Sequence, residues 1–510
     1  MSDGLALAVW LVVPFWVVGI DVIGLLQADR RRVLQLTRNG PTCDQFEVLV
    51  PIYGNVRFLE NAAYLASYGN RVVLCTTEHE SPEFYAGLEQ LAAKHHFRIF
   101  RTPVASTTGG KGRRSAAAPI RDKLIRDALF TVRAPYVVCI DADTVTTEPL
   151  ERLVGVVEQA GVDICSVRLV AANHEGLLAR FQGHEYRMAM RMRRLYPWLI
   201  SGACHVARTE VHQEVMSRHS LFFQGNDAEL GILADAMGYD VGHVLFDVPT
   251  TVPSSVRTWW RQRLAWAGGE FRIYAVNCRL GWRHPWFWFY GLVIVIAFAP
   301  LRWLSLFQNP RNVGVIFVMY VVTLFALNWR TRDRALPLLP VYMMIGTLIL
   351  VPLSVYSYLR MATKHRNFGI IDPSRWVAAT PVEVEAEPGS RRAAVTGRDP
   401  LVLSLCMTVA AMGARYSVPW HLGHDELWVS AHRSEVRIAR RSPRGLVVVA
   451  THQRARAGHW SILGAHVPRW HADGPGPSLE DLLDAAGWPD VPEPLPRRAG
   501  TAPVLEPAAV

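Results

Sequence analysis

The stretch Tyr136–Thr144, YVVCIDADT, runs an apolar segment of Val137, Val138, Cys139 and Ile140 directly into two carboxylates, Asp141 and Asp143, separated by one residue. A buried strand of that kind holds its backbone rigid, and the carboxylates then emerge at its carboxyl end, where open α/β sheets bind their ligands. Hard carboxylate oxygens there suit Mg2+ or Mn2+ bridging to a diphosphate. An isolated Asp-x-Asp is more often a solvated turn, so the reading depends on what accompanies it.

Other groups accompany it. Gly109-Gly110-Lys111-Gly112-Arg113-Arg114 offers flexible backbone and three cations for a phosphate, although Lys111 is not followed by Ser or Thr as in a P-loop. Phe222–Gly231, FFQGNDAELG, places Asp227 and Glu229 at a predicted helix start. Asp227 there serves either as an N-terminal cap or as a general base aimed at a hydroxyl. Arg257–Arg272, RTWWRQRLAWAGGEFR, interleaves arginine with tryptophan, a pattern for an interfacial helix with Trp259, Trp260 and Trp266 at head-group level, or for a segment closing over a diphosphate and a sugar.

These residues need a scaffold. Between the first apolar block and Trp286, strand-like and helix-like segments alternate, the pattern of a parallel sheet covered by helices. Strands are predicted at Phe46–Ile52, Arg71–Cys75, Arg98–Arg101, Tyr136–Ile140 and Val162–Val170, and helices at Pro82–His95 and Leu124–Val132. Function is then expected in the loops after the strands, including Pro51-Ile52-Tyr53-Gly54-Asn55 and Thr76-Thr77-Glu78-His79-Glu80.

The 510 residues include 17 Trp, and the mean hydropathy is positive. Leu5–Leu26 reaches the roughly 20 apolar residues that span a bilayer, and Arg30, Arg31 and Arg32 follow it. The segment reads as an uncleaved anchor with its carboxyl end in the cytoplasm. Further apolar blocks occupy Trp286–Phe307, Val313–Trp329 and Leu336–Leu359, with a weaker one at Leu401–Met412. Pro337, Pro340 and Pro352, with basic residues on both flanks, favour a re-entrant or interfacial element for Leu336–Leu359. The expectation is a multi-pass protein of the cell membrane with a cytoplasmic catalytic domain.

The net charge of +10 is spread over juxtamembrane arginines and the tail; it favours membrane lipids and nucleotide phosphates, and no nucleic-acid module is visible. The seven cysteines show no Cys-x-x-Cys or Cys/His ligand spacing, which argues against structural zinc and for reduced thiols packed in the core. The organisation read from these features is an anchor at 1–28, an α/β domain at 44–280, transmembrane or interfacial helices at 285–360, a linker at 361–398, a candidate last span at 399–414, a small β-rich appendage at 415–472 and a disordered tail at 473–510.

Taken in order, these features resemble the family 2 inverting glycosyltransferases, in particular the membrane-embedded branch of hyaluronan, chitin and cellulose synthases. The resemblance covers about Phe46 to Ile370 and implies a GT-A-like nucleotide-sugar-binding domain set between transmembrane helices. VPIYGN, with Pro51 and Tyr53, resembles the opening strand and uridine-side loop, and Glu78 lies in the next donor loop. GGKGRRSAA, with Lys111 and Arg114, resembles the lysine and arginine loop. In IDADT the resemblance implies that Asp143 reaches the cation and Asp141 the nucleotide side. Gln182–Tyr186 resembles the segment preceding the acceptor site, and Ser201-Gly202-Ala203-Cys204 the stretch beside the acceptor sugar, which assigns Gly202, Cys204 and Trp266 to the acceptor. Asp227 matches the base.

Two departures stand out. Gln262-Arg263-Leu264-Ala265-Trp266 carries Ala265 where the family's motif has arginine, leaving Gln262 and Arg263, or Arg261, on the donor side. Thr76, Thr77 and Glu78 replace the usual aspartate-containing turn.

The implied reaction is metal-dependent, inverting transfer from a UDP-sugar to a growing polysaccharide, with Asp227 deprotonating the acceptor hydroxyl. The alternatives are a non-processive transferase acting on a lipid-linked acceptor and a silent nucleotide-sugar-binding scaffold; a partner subunit remains open.

Overall fold

A computed structural model describes residues 32–103, 120–281, 298–379 and 407–461 apart from short gaps, together with Gly19, His284, Val382, Glu383 and Leu463. The expected anchor Leu5–Leu26 apart from Gly19, the loop holding Lys111 and Arg114, the start of Trp286–Phe307 and the 473–510 tail lie outside the described residues. The described part falls into two compact units that divide after Asp372.

The first unit is built on one sheet of eight strands: β1 Val33–Leu34, β2 Phe46–Pro51, β3 Val72–Thr77, β4 Arg98–Thr102, β5 Tyr136–Ile140, β6 Ile164–Ala171, β7 Cys204–Arg208 and β8 Val241–Thr250, in the order β1-β8-β6-β7-β5-β2-β3-β4. Continuous apolar runs explain the central strands: every residue of β2 and β3 is buried, as expected where helices cover both faces. The sheet is mixed rather than parallel as expected, because β7 runs antiparallel to both β5 and β6. That reversal brings the start of β7 beside the end of β5, with Ile140 opposite Cys204 and Cys139 opposite His205. The loop 201–203 therefore faces Asp141.

Around the sheet lie helices α1 Pro82–His95, α2 Ile120–Leu129, α3 Leu150–Ala160, α4 Leu177–Met192, α5 Thr209–Arg218, α6 Asn226–Met237 and α7 Val256–Phe271. Capping sets two of their starts: the Ser81 hydroxyl accepts the Phe84 N–H at α1, and the Ser255 hydroxyl accepts the Thr258 N–H at α7.

Three apolar helices follow: α8 Phe298–Gln308, α9 Asn312–Leu327 and α10 Leu336–His365. Among the described residues, α10 is the one helix long and apolar enough to cross a membrane, and α9 is shorter. The prolines read as favouring a re-entrant or interfacial element lie within one continuous helical run, Leu336–His365. Pro340 and Pro352 each sit in the first turn of a helical segment, and a π-helical stretch, Gly346–Leu350, precedes the second, which accommodates the missing N–H.

Trp259 of α7, expected at a lipid interface, is buried with Leu336, Leu339 and Tyr342 of α10, and its indole donates to the Tyr342 hydroxyl at 2.9 Å. The α/β core and the apolar helices thus share one packed seam.

The second unit is made of β-strands: β9 Val377–Ala379, β10 Val382–Glu383, β11 Met407–Ala411, β12 Ala414–Val418, β13 Leu427–Ala431, β14 Glu435–Ser442, β15 Gly445–Gln453 and β16 Trp460–Ser461, in two four-stranded sheets. The segment Leu401–Met412, expected as a last span or a buried helix, instead contributes β11. Met412 and Gly413 both adopt positive φ and close a hairpin with β12, and the stretch is too short to span a bilayer.

Candidate active site

Beyond Ile140 the chain turns sharply. The Asp141 N–H donates to the Ala203 carbonyl at 2.9 Å, and the Thr144 N–H donates to the Asp141 carbonyl at 3.1 Å. The buried Asn61 side chain holds this turn from behind, donating to the carbonyls of Asp141 and Thr144 at 2.9 and 2.6 Å. Asp143 is left exposed, accepting only the Thr144 hydroxyl at 3.1 Å among the described contacts. Asp141 is engaged: Arg121 Nε donates to its Oδ1 at 2.6 Å.

Arg121, on α2, also contacts Asp122 at 2.8 Å and donates to the Gly202 carbonyl. Burial pushes the Asp141 carboxyl above its usual range, with Arg121 pulling the other way. The sequence reading missed Arg121, whose partners come from other elements.

Asp227 stands in the first turn of α6. Its neighbours anchor that turn. Asn226 donates to Asp122 and to the Phe223 carbonyl, both at 3.0 Å. Glu229 is fully buried, meeting Arg272 at 2.5 Å, the Ser220 N–H at 2.6 Å and the Ser220 hydroxyl at 2.7 Å. Glu229 is therefore structural, and Asp227 Oδ2 accepts the Gly202 N–H at 3.0 Å.

Gly225, which precedes the helix with φ near 82°, lies against the Gly269 backbone of α7, where a Cβ would come within 3.2 Å. A side chain at either glycine would push apart the two elements that frame the site.

Asp141, Asp143 and Asp227 line one cavity of about 760 Å3, together with Arg121, Gly202, Gln262, Arg263 and Trp266. The cavity continues between the apolar helices, where Arg302, Met319, Leu324 and Leu350 line it. Trp266, 39% exposed, stacks on Tyr186 with ring centroids 6.5 Å apart, and the Arg263 guanidinium lies 4.2 Å over the Trp266 ring. Arg263 is committed to Glu185 at 2.8 Å and to Gln262 at 2.8 Å, and the Tyr342 hydroxyl donates to the same Glu185 oxygen at 2.6 Å. Arg261 is exposed. Position 265 being alanine, Arg121, Arg191 and Arg193 are among the cations that line the cavity, and Arg193 interacts electrostatically with Asp227.

Three further carboxylates line the cavity: Asp122, Glu185 from the Gln182–Tyr186 segment, and Glu270, to which the sequence reading gave no role. Glu270 keeps exposed surface, yet the protein packed around its carboxyl, reinforced by Glu185 and Asp227 and opposed by Arg263, raises it to about 7.

Of the remaining expected site residues, Pro51 is buried within β2. Tyr53 is half-buried, its phenol raised by burial and subject to the charges of Arg121, Asp122 and Asp141. Glu78 is exposed, and its backbone N–H donates to the Thr102 carbonyl at 2.9 Å. Glu80 is the carboxylate that closes this loop, accepting from the Gly54 N–H at 3.1 Å and the Thr77 hydroxyl at 2.8 Å. Cys204, expected beside the acceptor, is fully buried in β7 and does not line the cavity, because alternation along the strand turns its side chain into the core.

Residues 136–331, which include both Asp-x-Asp carboxylates, Asp227 and all of α7, match the family described as glycosyl transferase family group 2. Residues 389–463 match the family described as Mu transposase, C-terminal domain. No curated protein sequence matches the chain.

Among solved structures, the chain is similar to the mannosyltransferase PcManGT from Pyrobaculum calidifontis in complex with GDP-Man and Mn2+, at 14% identity and a TM-score of 0.40 over 70% of this chain and 98% of that one. It is also similar to S. aureus TarS 1-349, at 14% identity and a TM-score of 0.31 over 62% and 91% of the two chains. A third is glucosyl-3-phosphoglycerate synthase from Mycobacterium tuberculosis with Mn2+, UDP and glucosyl-3-phosphoglycerate, at 14% identity and a TM-score of 0.30 over 48% and 81%. The match to the glycosyl transferase family group 2 over 136–331 takes in β5, the start of α6 and the arginine–tryptophan segment, which supply most of this cavity's wall.

Proposed function

We propose that the protein transfers a sugar from a UDP-sugar, with inversion, to a growing polysaccharide at a membrane. The observation that carries this reading is the single cavity holding Asp143 and Asp227 and running on between the apolar helices. An acceptor entering from the helical side meets Asp227, and a donor lies toward Asp141, Asp143 and Arg121.

Asp143 fits a Mg2+ or Mn2+ ion, being an exposed carboxylate with free oxygen capacity at the cavity wall. Such an ion would neutralise charge on the departing diphosphate. The protein's own groups do the rest. Arg121 fixes Asp141 and adds positive charge on the donor side. Asp227, held by Gly202, takes the proton of the acceptor hydroxyl, and the Trp266 face offers a platform for a sugar ring.

A lipid-linked acceptor is the second reading, favoured by Met319, Leu324 and Leu350 along the far end of the cavity. Membrane attachment is supported by α10 and by exposed Val318, Val322, Phe325, Val341, Ile349 and Leu353 on α9 and α10. A silent scaffold has only Ala265 in its favour.

The test is UDP release from a panel of UDP-sugars by the detergent-purified full chain, with and without Mn2+. Release that needs the ion and disappears in Asp143→Ala is expected; equal release by Asp143→Ala overturns the metal assignment. Chain-length analysis of the product separates polymer from a singly glycosylated lipid.

A further inference from the structure

Behind the carboxylates, on the core side of the sheet, Cys139, His205 and His212 converge. Cys139 precedes Asp141 on β5, His205 is its direct partner on the antiparallel β7, and His212 comes from α5. One ligand atom from each lies within 4.8 Å of the others, and all three residues are buried.

The imidazoles are poorly served by the protein. His205 Nδ1–H donates to the Ser201 carbonyl at 3.3 Å, which leaves the lone pair on Nε2, and Nε2 has no partner among the described residues. Both nitrogens of His212 are buried without a hydrogen bond among the described residues, which is unfavourable in an apolar core. A histidine whose second nitrogen is oriented by a backbone carbonyl is the arrangement that metal-binding imidazoles adopt.

We propose that Cys139, His205 and His212 form a binding site for a thiophilic metal ion, zinc(II), that braces the strand end carrying Asp141. Two imidazoles and one thiolate are donors that zinc takes readily. Bonds of about 2.0–2.3 Å place tetrahedral ligand atoms roughly 3.3–3.8 Å apart, so the cluster closes on an ion by side-chain movement alone. Binding removes the thiol proton, and the Asp122 and Asp141 carboxylates that flank Arg121 offset the nearby positive charge. Sequence spacing hid the site, because its ligands come from two antiparallel strands and a helix rather than from a compact motif.

This ion is distinct from the oxygen-bound cation at Asp143, and the test separates them. Full-length protein purified in detergent is dialysed against EDTA, supplied with zinc, dialysed again and measured by elemental analysis. About one zinc per chain is expected to remain, to persist in Asp143→Ala, and to be lost in Cys139→Ser and His212→Gln. X-ray absorption at the zinc edge of the unmutated protein covers the case in which those variants fail to fold: one sulfur and two imidazole neighbours are expected. No retained zinc, zinc kept by both variants, or a zinc shell without sulfur overturns the proposal.

Discussion

Asp227 Oδ2 accepts the backbone N–H of Gly202 at 3.0 Å, and the carbonyl of the same glycine accepts from Arg121. One peptide segment therefore ties the base candidate to the cation beside Asp141. An asparagine at 227 keeps an oxygen for that N–H while losing the charge. Asp227→Asn is expected to bind UDP with unchanged affinity and to lose about 10²–10⁴-fold in turnover. Calorimetric titration with UDP beside a UDP-release assay checks both, and turnover near that of the parent protein removes Asp227 from the chemistry.

Arg121 joins three groups that no other described cation reaches together: Asp141, Asp122 and the Gly202 carbonyl. Arg121→Ala leaves the Asp141 carboxylate in a desolvated cleft without its partner. The variant is expected to unfold about 1–3 kcal/mol more easily, a value reduced from the fully buried case because both side chains keep some water contact. Its KM for the donor is expected to rise, whereas a purely structural Arg121 would leave KM unchanged in the fraction that folds.

Gly269 meets the backbone of Gln224 and Gly225 so closely that a Cβ would lie 2.7 Å from the Gln224 carbonyl carbon. Backbone cannot yield as a flexible side chain does. Gly269→Ala is expected to displace the turn before Asp227, lowering turnover and costing about 1–3 kcal/mol of stability. Gly314→Ala, at a helix position with open space around it, serves as the control and is expected to leave turnover unchanged and stability undiminished.

What could be read beforehand followed from local pattern. Val137–Ile140 announces a buried strand, and α1 shows its cap and its Pro82 start in sequence. Asp143 and Asp227 could be singled out because each sits in a short motif, and the fold brings both to one cavity. The strand β7 was not predicted, and CHVAR carries no signal of which way it pairs. Arg121 was hidden for a related reason: at the start of an ordinary amphipathic helix, its meaning comes only from Asp141 and Gly202, which the antiparallel pairing of β5 and β7 brings beside it. The apolar run Leu401–Met412 misled because hydropathy does not register the positive-φ pair Met412-Gly413, which turns the chain back on itself.

Glu270 gives the site a pH signature. Its carboxyl, raised to about 7 by desolvation with Glu185 and Asp227 nearby, holds its proton more tightly in the folded protein than in the unfolded chain, where about 4.5 applies. Between those values the folded state binds more protons, so this group lowers stability progressively as pH rises, and the loss is complete above about pH 7. Glu270→Gln removes the titration. The variant is expected to melt at the parent's temperature near pH 4 and above it near pH 8, with the difference opening between those limits. Melting curves of the detergent-solubilised protein across that range decide the matter: a difference that is the same at every pH would mean that Glu270 is not the group that titrates.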